Sequence, residues 1–247
     1  MLTVVVSSLP ASLVQRLLPR TLRVDDLSGS LWHGSAGRLS VNGHDWGAIE
    51  WHIHPGPLFR LTLAAEIHWV KIGFVADAGV TIDRQGATLR NLVGGGPIED
   101  LRDLGIAGGW RGGAQLQFSE IRCQFAAGAQ PDAVMRLQSA VGELTLTNLS
   151  AAQIAGRADL GGYVLHVADG AITPDADATA ELADTGGPLE VRATVRYSVK
   201  EHRGLLSGTL RERAEASAAL RSQLEPLTAM HARDAAGRIP VELEFIL

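Results

Sequence analysis

Five of the eight histidines fall between Trp32 and Trp69, at positions 33, 44, 52, 54 and 68. His52 and His54 are two residues apart, which puts both rings on one face of a strand, where a metal site is conceivable. No cysteine joins them and no His-Glu-x-x-His spacing occurs, so they read as solvated strand histidines and no metal is assigned. Gly94-Gly95-Gly96-Pro97 could turn amides toward a phosphate at the start of a helix. It lacks the Lys-Ser/Thr of a P-loop and the spacing of a dinucleotide fingerprint, so a plain turn is expected there and no cofactor. Cys123 lies in an Ile-Arg-Cys-Gln-Phe run that reads as strand, and no Gly-x-Ser-x-Gly elbow is present. The carboxylate neighbours Asp25-Asp26, Glu99-Asp100 and Asp175/Asp177 all sit beside turn signals, where Asp is favoured for structural reasons. No catalytic residue is assigned. The chain does not read as an enzyme.

The five tryptophans, at 32, 46, 51, 69 and 110, all lie in the first half. Interleaved with aliphatic residues, they are expected to fill a core between sheet and helix. The sharper alternative is a partner-binding patch, since Trp is enriched at interface hot spots.

The elements that must carry these residues are mostly strands. From Phe59 to Trp69 every odd position is apolar, and Leu189–Lys200, Ile49–Ile53 and Val241–Leu247 alternate in the same way. Strict alternation gathers the apolar groups on one face, the mark of an antiparallel sheet with one wet side. Shorter strands are expected at Ala87–Leu92, Ala114–Ile121, Glu143–Thr147 and Tyr163–Ala168. Helical spacing is confined to Pro10–Leu18, Pro97–Leu104 and Arg211–Leu227, the last with Leu220, Leu224 and Leu227 on one side.

Composition bounds the rest. A chain of 247 residues makes one large or two small domains, and 28 glycines with 20% charged residues suit tight-turned β structure rather than disorder. A net charge of −5 argues against a nucleic-acid partner. The single cysteine cannot form an internal disulfide. No apolar run reaches the roughly 18 residues that span a bilayer; the longest near the start is Leu2–Val6.

Internal similarity organises the chain. Gly56-Pro57-Leu58 and Gly187-Pro188-Leu189 each open an alternating strand. Ala87-Thr88-Leu89-Arg90 and Gly208-Thr209-Leu210-Arg211 follow, and each leads to a helix, a Gly-containing turn and another strand. One β-rich unit used twice is the expectation: an N-terminal segment with a short helix over 1–22, a first repeat over 23–125, a linker over 126–140 and a second repeat over 141–247. The fold class is mainly β: twisted antiparallel sheets from two similar halves, each with a short helix on its apolar face.

Leu27-Ser28-Gly29-Ser30-Leu31-Trp32-His33-Gly34-Ser35-Ala36, followed by Trp46-Gly47-Ala48-Ile49-Glu50-Trp51-His52-Ile53-His54-Pro55, is the most distinctive block. Leu9-Pro10-Ala11-Ser12 precedes it, and Gly187-Pro188-Leu189, Gly208-Thr209-Leu210-Arg211 and Gly237-Arg238-Ile239-Pro240 follow. In that order, from about Leu9 to Leu247, the chain resembles the general secretion pathway protein N family, an accessory component of the bacterial type II secretion system. The resemblance implies a non-enzymatic scaffold that supports export of folded exoproteins. It also implies contacts with the inner-membrane platform and the outer-membrane secretin, and a place on the periplasmic side of the inner membrane. It further implies an N-terminal anchor helix, expected to be missing or truncated in this sequence, with Leu2–Val6 read as its remnant. Trp32, Gly34, Trp51, Pro57, Trp69, Gly187 and Pro188 are the candidate motif or partner-binding positions. The alternative function is a periplasmic protein that binds a lipid or other apolar ligand in an open β groove, since an uncovered apolar sheet face demands a ligand or partner.

Overall fold

Residues that alternate apolar and polar, separated by short glycine-bearing turns, favour hydrogen bonding between sequence neighbours. The structure, a computed structural model, describes residues 10–11, 22–104, 109–125, 135–151, 159–168, 177–198, 203–230 and 233–246. Among them, thirteen strands follow one another in one antiparallel order from β1 to β13, with no crossover. The first six are β1 (Leu22–Gly29), β2 (His33–Val41), β3 (His44–His54), β4 (Leu63–Lys71), β5 (Phe74–Ile82) and β6 (Gly86–Pro97). The longest two come next, β7 (Trp110–Phe125) and β8 (Met135–Ala151). β9 (Asp159–Val167), β10 (Ala178–Gly186), β11 (Leu189–Ser198), β12 (Arg203–Glu212) and β13 (Ile239–Ile246) complete the order. Among the described residues an α-helix, α1 (Ala218–Met230), lies between β12 and β13, and 3₁₀ helices occupy Gly56–Arg60 and Ile98–Leu104. The mainly β, antiparallel reading holds.

The chain divides into two compact units. Unit 1 comprises Met1–Gly96, Asp100–Ile106 and Gln117–Gln138; unit 2 comprises Pro97–Glu99, Ala107–Leu116 and Ser139–Leu247. In unit 1 the register pairs Ile49 with Trp69, Trp51 with Ile67 and Ile53 with Ala65, and then Trp69 with Ala76 and Ala65 with Val80. That face holds the buried Ala36, Ile53, Ala65, Phe74, Ala76 and Ala87. Glu50, His52, Glu66, His68 and Asp77 take the opposite face. In unit 2 the buried set includes Leu149, Leu160, Tyr163, Leu189 and Ile239, together with Leu220 and Leu224 of α1. Ser217 Oγ accepts the Leu220 N–H at 3.1 Å and so caps the helix start.

Several local expectations change. The strand expected from Phe59 begins only at Leu63. Pro57 stands in the first turn of a 3₁₀ helix, and Leu61 ends that helix in the left-handed region with φ 58°. A proline ring that presets φ near −65° favours this turn over an extended start. Gly94-Gly95-Gly96 form no turn but run inside β6. There a Cβ on Gly94 would lie 2.6 Å from Ala76 Cβ, so β5 and β6 approach too closely for a larger residue. Arg211 and Glu212 finish β12 instead of opening the last helix, because both pair with β11. The expected helix at Pro97–Leu104 is a 3₁₀ helix over Ile98–Leu104. Of the helix expected at Pro10–Leu18, all but Pro10 and Ala11 lies outside the described residues; Ala11 is buried, and its N–H donates to Gly29 O at 3.3 Å.

Candidate functional site

Trp32, Gly34 and Trp51 come together at one end of β2 and β3. Gly34 and Trp51 are directly opposed across the ladder, and the Trp51 indole lies over the glycine. A Cβ on Gly34 would overlap the six-membered ring and lie 2.7 Å from Ser30 O. The Trp51 Nε1–H donates to Leu31 O at 3.0 Å, and Ile53 N–H donates to Trp32 O at 2.7 Å. Ser30 and His33 close the intervening turn, with Ser30 N–H donating to His33 O at 2.8 Å and His33 N–H to Ser30 Oγ at 3.1 Å. The motif block thus pins the β1–β2 turn to the start of the next hairpin. Its glycine exists to make room for an indole.

Trp69 belongs to a second cluster farther along the same strands. Its ring centroid lies 6.1 Å from Trp46 and 5.5 Å from Phe74, and its Nε1–H donates to Trp46 O. Trp46 and Trp51 would fall on opposite faces by parity alone. A β-bulge, marked by register shifts around Leu39 opposite Gly47, brings Trp46 to the Trp69 side. Buried Lys71 completes this end, its Nζ donating to Asp45 O.

Pro57 is separate from both clusters. It sets the 3₁₀ helix that raises Leu58, Phe59 and Leu61 away from the sheet, with Phe59 94% exposed and Leu61 63% exposed. Gly187 and Pro188 belong to unit 2, at the β10–β11 corner. Gly187 adopts φ +118°, and a Cβ there would lie 2.6 Å from Gly161 Cα. Arg213 latches this corner, its backbone N–H donating to Pro188 O at 2.9 Å, and its guanidinium to Gly187 O at 2.9 Å and to Asp184 Oδ1 at 2.5 Å. Beside it Glu190 is gripped by Arg211 and Arg238; the Arg211 hydrogen bond, first of all, holds the Glu190 carboxyl below the usual carboxylate range.

His33, His52 and His68 line an open depression of about 700 Å³ on the polar face of unit 1. His33 and His52 stack with ring centroids 3.9 Å apart, and His54 follows at 4.7 Å from His52. His54 Nε2 lies 3.4 Å from Glu66 Oε1, and His68 Nδ1 lies 2.7 Å from Asp77 Oδ1. These rings and carboxylates partner one another in pairs across neighbouring strands. Among the described residues no group of three or more His, Cys, Asp or Glu is arranged to hold a metal ion.

Residues 20–242, nearly the whole chain, match the family model for type II secretion system (T2SS), protein N. The chain belongs to the type II secretion system protein N family. No curated protein and no solved structure matches it. Membership makes it a component of a protein-secretion machine in the cell envelope. No helix among its described residues is long and apolar enough to cross a membrane.

Within this protein N chain, sequence reasoning missed the exposure of Phe59 and Leu61. Their odd-numbered spacing matched the buried face of β4, and only Pro57 two residues earlier could have signalled the break. It also missed Arg213, one charge in the run Arg211-Glu212-Arg213, whose partners are 24 to 29 residues away in sequence.

Tyr163 gives unit 2 of this protein N chain a measurable pH response. Its hydroxyl donates to Leu160 O at 2.8 Å, and burial, reinforced by the Asp184 and Asp159 carboxylates against the opposing Arg213, pushes its pKa up from 10.0 to about 12. The folded state therefore keeps a proton that the unfolded chain loses first. This contribution to stability is intact below pH ~10 and is lost as pH rises toward ~12. Urea unfolding at pH 9 and pH 11.5 should show a drop for the native chain that is clearly smaller in Tyr163→Phe. Equal drops in the two proteins would refute the assignment.

Proposed function

We propose that this protein is a non-enzymatic accessory scaffold of the type II secretion system, supporting export of folded exoproteins. It acts from the periplasmic side of the inner membrane, through contacts with the inner-membrane platform and the secretin. The observation that carries this reading is the family match over residues 20–242. The candidate positions support it: Trp32, Gly34, Trp51 and Trp69 brace the sheet, as a rigid scaffold requires, and Pro57 holds out an apolar tip.

That tip is the expected point of contact. Phe59 at 94% exposure beside Leu61 at 63% is a poor use of apolar side chains unless a partner covers them. A photo-crosslinking amino acid at position 59, in cells assembling the secretion machine, should capture a platform protein or the secretin. The double variant Phe59→Ser/Leu61→Ser should leave unfolding stability within about 0.5 kcal/mol of native, as for exposed sites generally, while lowering both crosslinking at a neighbouring position and export of extracellular hydrolases. Normal export both in this variant and in a deletion strain, with no secretion component captured, would reject the role.

A further inference from the structure

Unit 2 holds a cavity of about 480 Å³ between α1 and the sheet formed by β11, β12 and β13. Its walls are leucines and valines, among them Leu189, Val191, Leu206, Leu220, Leu224 and Val241. Its floor is small: Ala193 of β11 lies opposite Gly208 of β12. A Cβ on Gly208 would lie 2.5 Å from both Ala193 Cα and Ala193 Cβ, so the floor stays flat while bulky side chains rise on either side. A trough results, with α1 laid over it through Leu220 and Leu224, both buried. Leu243, 56% exposed, forms part of the lip.

The polar inventory of this trough decides what can occupy it. The Tyr163 hydroxyl is already committed to Leu160 O, and Thr209 pairs with Arg192 on the other face of the sheet, leaving the Trp110 indole and the Gln223 amide as the polar side chains of the lining. An ordered water cluster needs two to four polar partners per molecule, which these walls do not offer. An inserted peptide would bring backbone N–H and C=O groups that two side chains cannot satisfy. No charged side chain lines the space, so an ionic head group would have to remain outside it. At roughly 30 Å³ per water-sized group and dense interior packing, the volume suits a linear chain of roughly ten to fifteen carbons.

We propose that unit 2 binds a single linear acyl chain in this trough beneath α1. The inference goes beyond the secretion role and can fail without affecting it, since its test involves no secretion component. Purified full chain is titrated with cis-parinaric acid, whose fluorescence rises on entering an apolar site, and dodecanol is used as an uncharged competitor. Saturable binding of one probe per chain, displaced by dodecanol, is expected. Ala193→Phe, which fills the floor, should weaken binding at least tenfold. Val241→Trp, which fills the space beside Gly208, should do the same and serves as the second variant should Ala193→Phe fail to fold. Arg192→Ala, on the opposite face of β11, should bind within twofold of native. Absence of saturable binding by the folded native chain, failure of dodecanol to compete, or native affinity in a folded trough-filling variant would each overturn the proposal.

Discussion

Phe74→Ala is expected to lower the stability of unit 1 by about 3–5 kcal/mol, the usual range for removing a fully buried aromatic ring. Phe74 is only 1% exposed and is among the largest fully buried side chains of the described residues. Its ring packs 5.5 Å from Trp69, which in turn packs on Trp46 and hydrogen-bonds its carbonyl. Truncation removes apolar burial and leaves a hole beside an indole held in place by a hydrogen bond, so the site cannot easily collapse. The chain backs this region closely from β6, where a Cβ on Gly96 would lie 2.6 Å from Phe74 Cα. Equilibrium unfolding in urea, followed by tryptophan fluorescence, measures the loss. Ile72→Ala, two residues away but at a side chain 81% exposed, should change stability by less than about 0.5 kcal/mol. A Phe74→Ala loss under 1 kcal/mol would mean that the Trp46–Trp69–Phe74 cluster does not brace unit 1.

The second large effect is a coupling. Trp51→Ala should cost about 3 kcal/mol, from lost indole burial and the lost hydrogen bond to Leu31 O. Gly34→Ala should cost about 1–3 kcal/mol, because its new methyl enters space held by the Trp51 ring. In the double variant most of that clash disappears with the ring. The two losses should therefore fall short of adding by at least about 1 kcal/mol, as expected for residues in direct contact. Additivity within 0.5 kcal/mol would show that the glycine is needed for something other than the indole, with the nearby Ser30 O, 2.7 Å from the hypothetical Cβ, as the first suspect.

These two predictions also show how far side-chain periodicity could be read. Alternation over Ile49–Ile53 and Leu189–Lys200 located β3 and β11 and the face each turns inward, and over Val241–Leu247 it located β13, although Leu243 there is 56% exposed. It failed where backbone chemistry overrules parity. Phe59 and Leu61 continue the apolar rhythm of β4, yet Pro57 starts a 3₁₀ helix and the left-handed Leu61 closes it. Trp46 and Trp51 differ in parity, yet the bulge near Gly47 turns Trp46 toward Trp69. The reading of Gly94-Gly95-Gly96 as a turn failed for a related reason. Glycine signals either a tight turn or a close approach of two chains, and only the neighbouring β5 distinguishes them.

The Trp32-to-Trp51 block was recognisable as a family motif from its residues, whereas the reason for Gly34 was not. That glycine answers to an indole 17 positions later, brought opposite by the β2–β3 register. The same holds for the Arg213 latch on Gly187-Pro188, and for the flat floor that Gly208 and Ala193 provide beneath α1. Short-range pattern was enough to determine fold class, strand faces and membership of the secretion family, because alternation and turn chemistry act within a few residues. Which glycine receives which ring, which apolar residues stay in water and where a trough is left open were decided by tertiary structure, because those outcomes depend on contacts between segments that are distant along the chain.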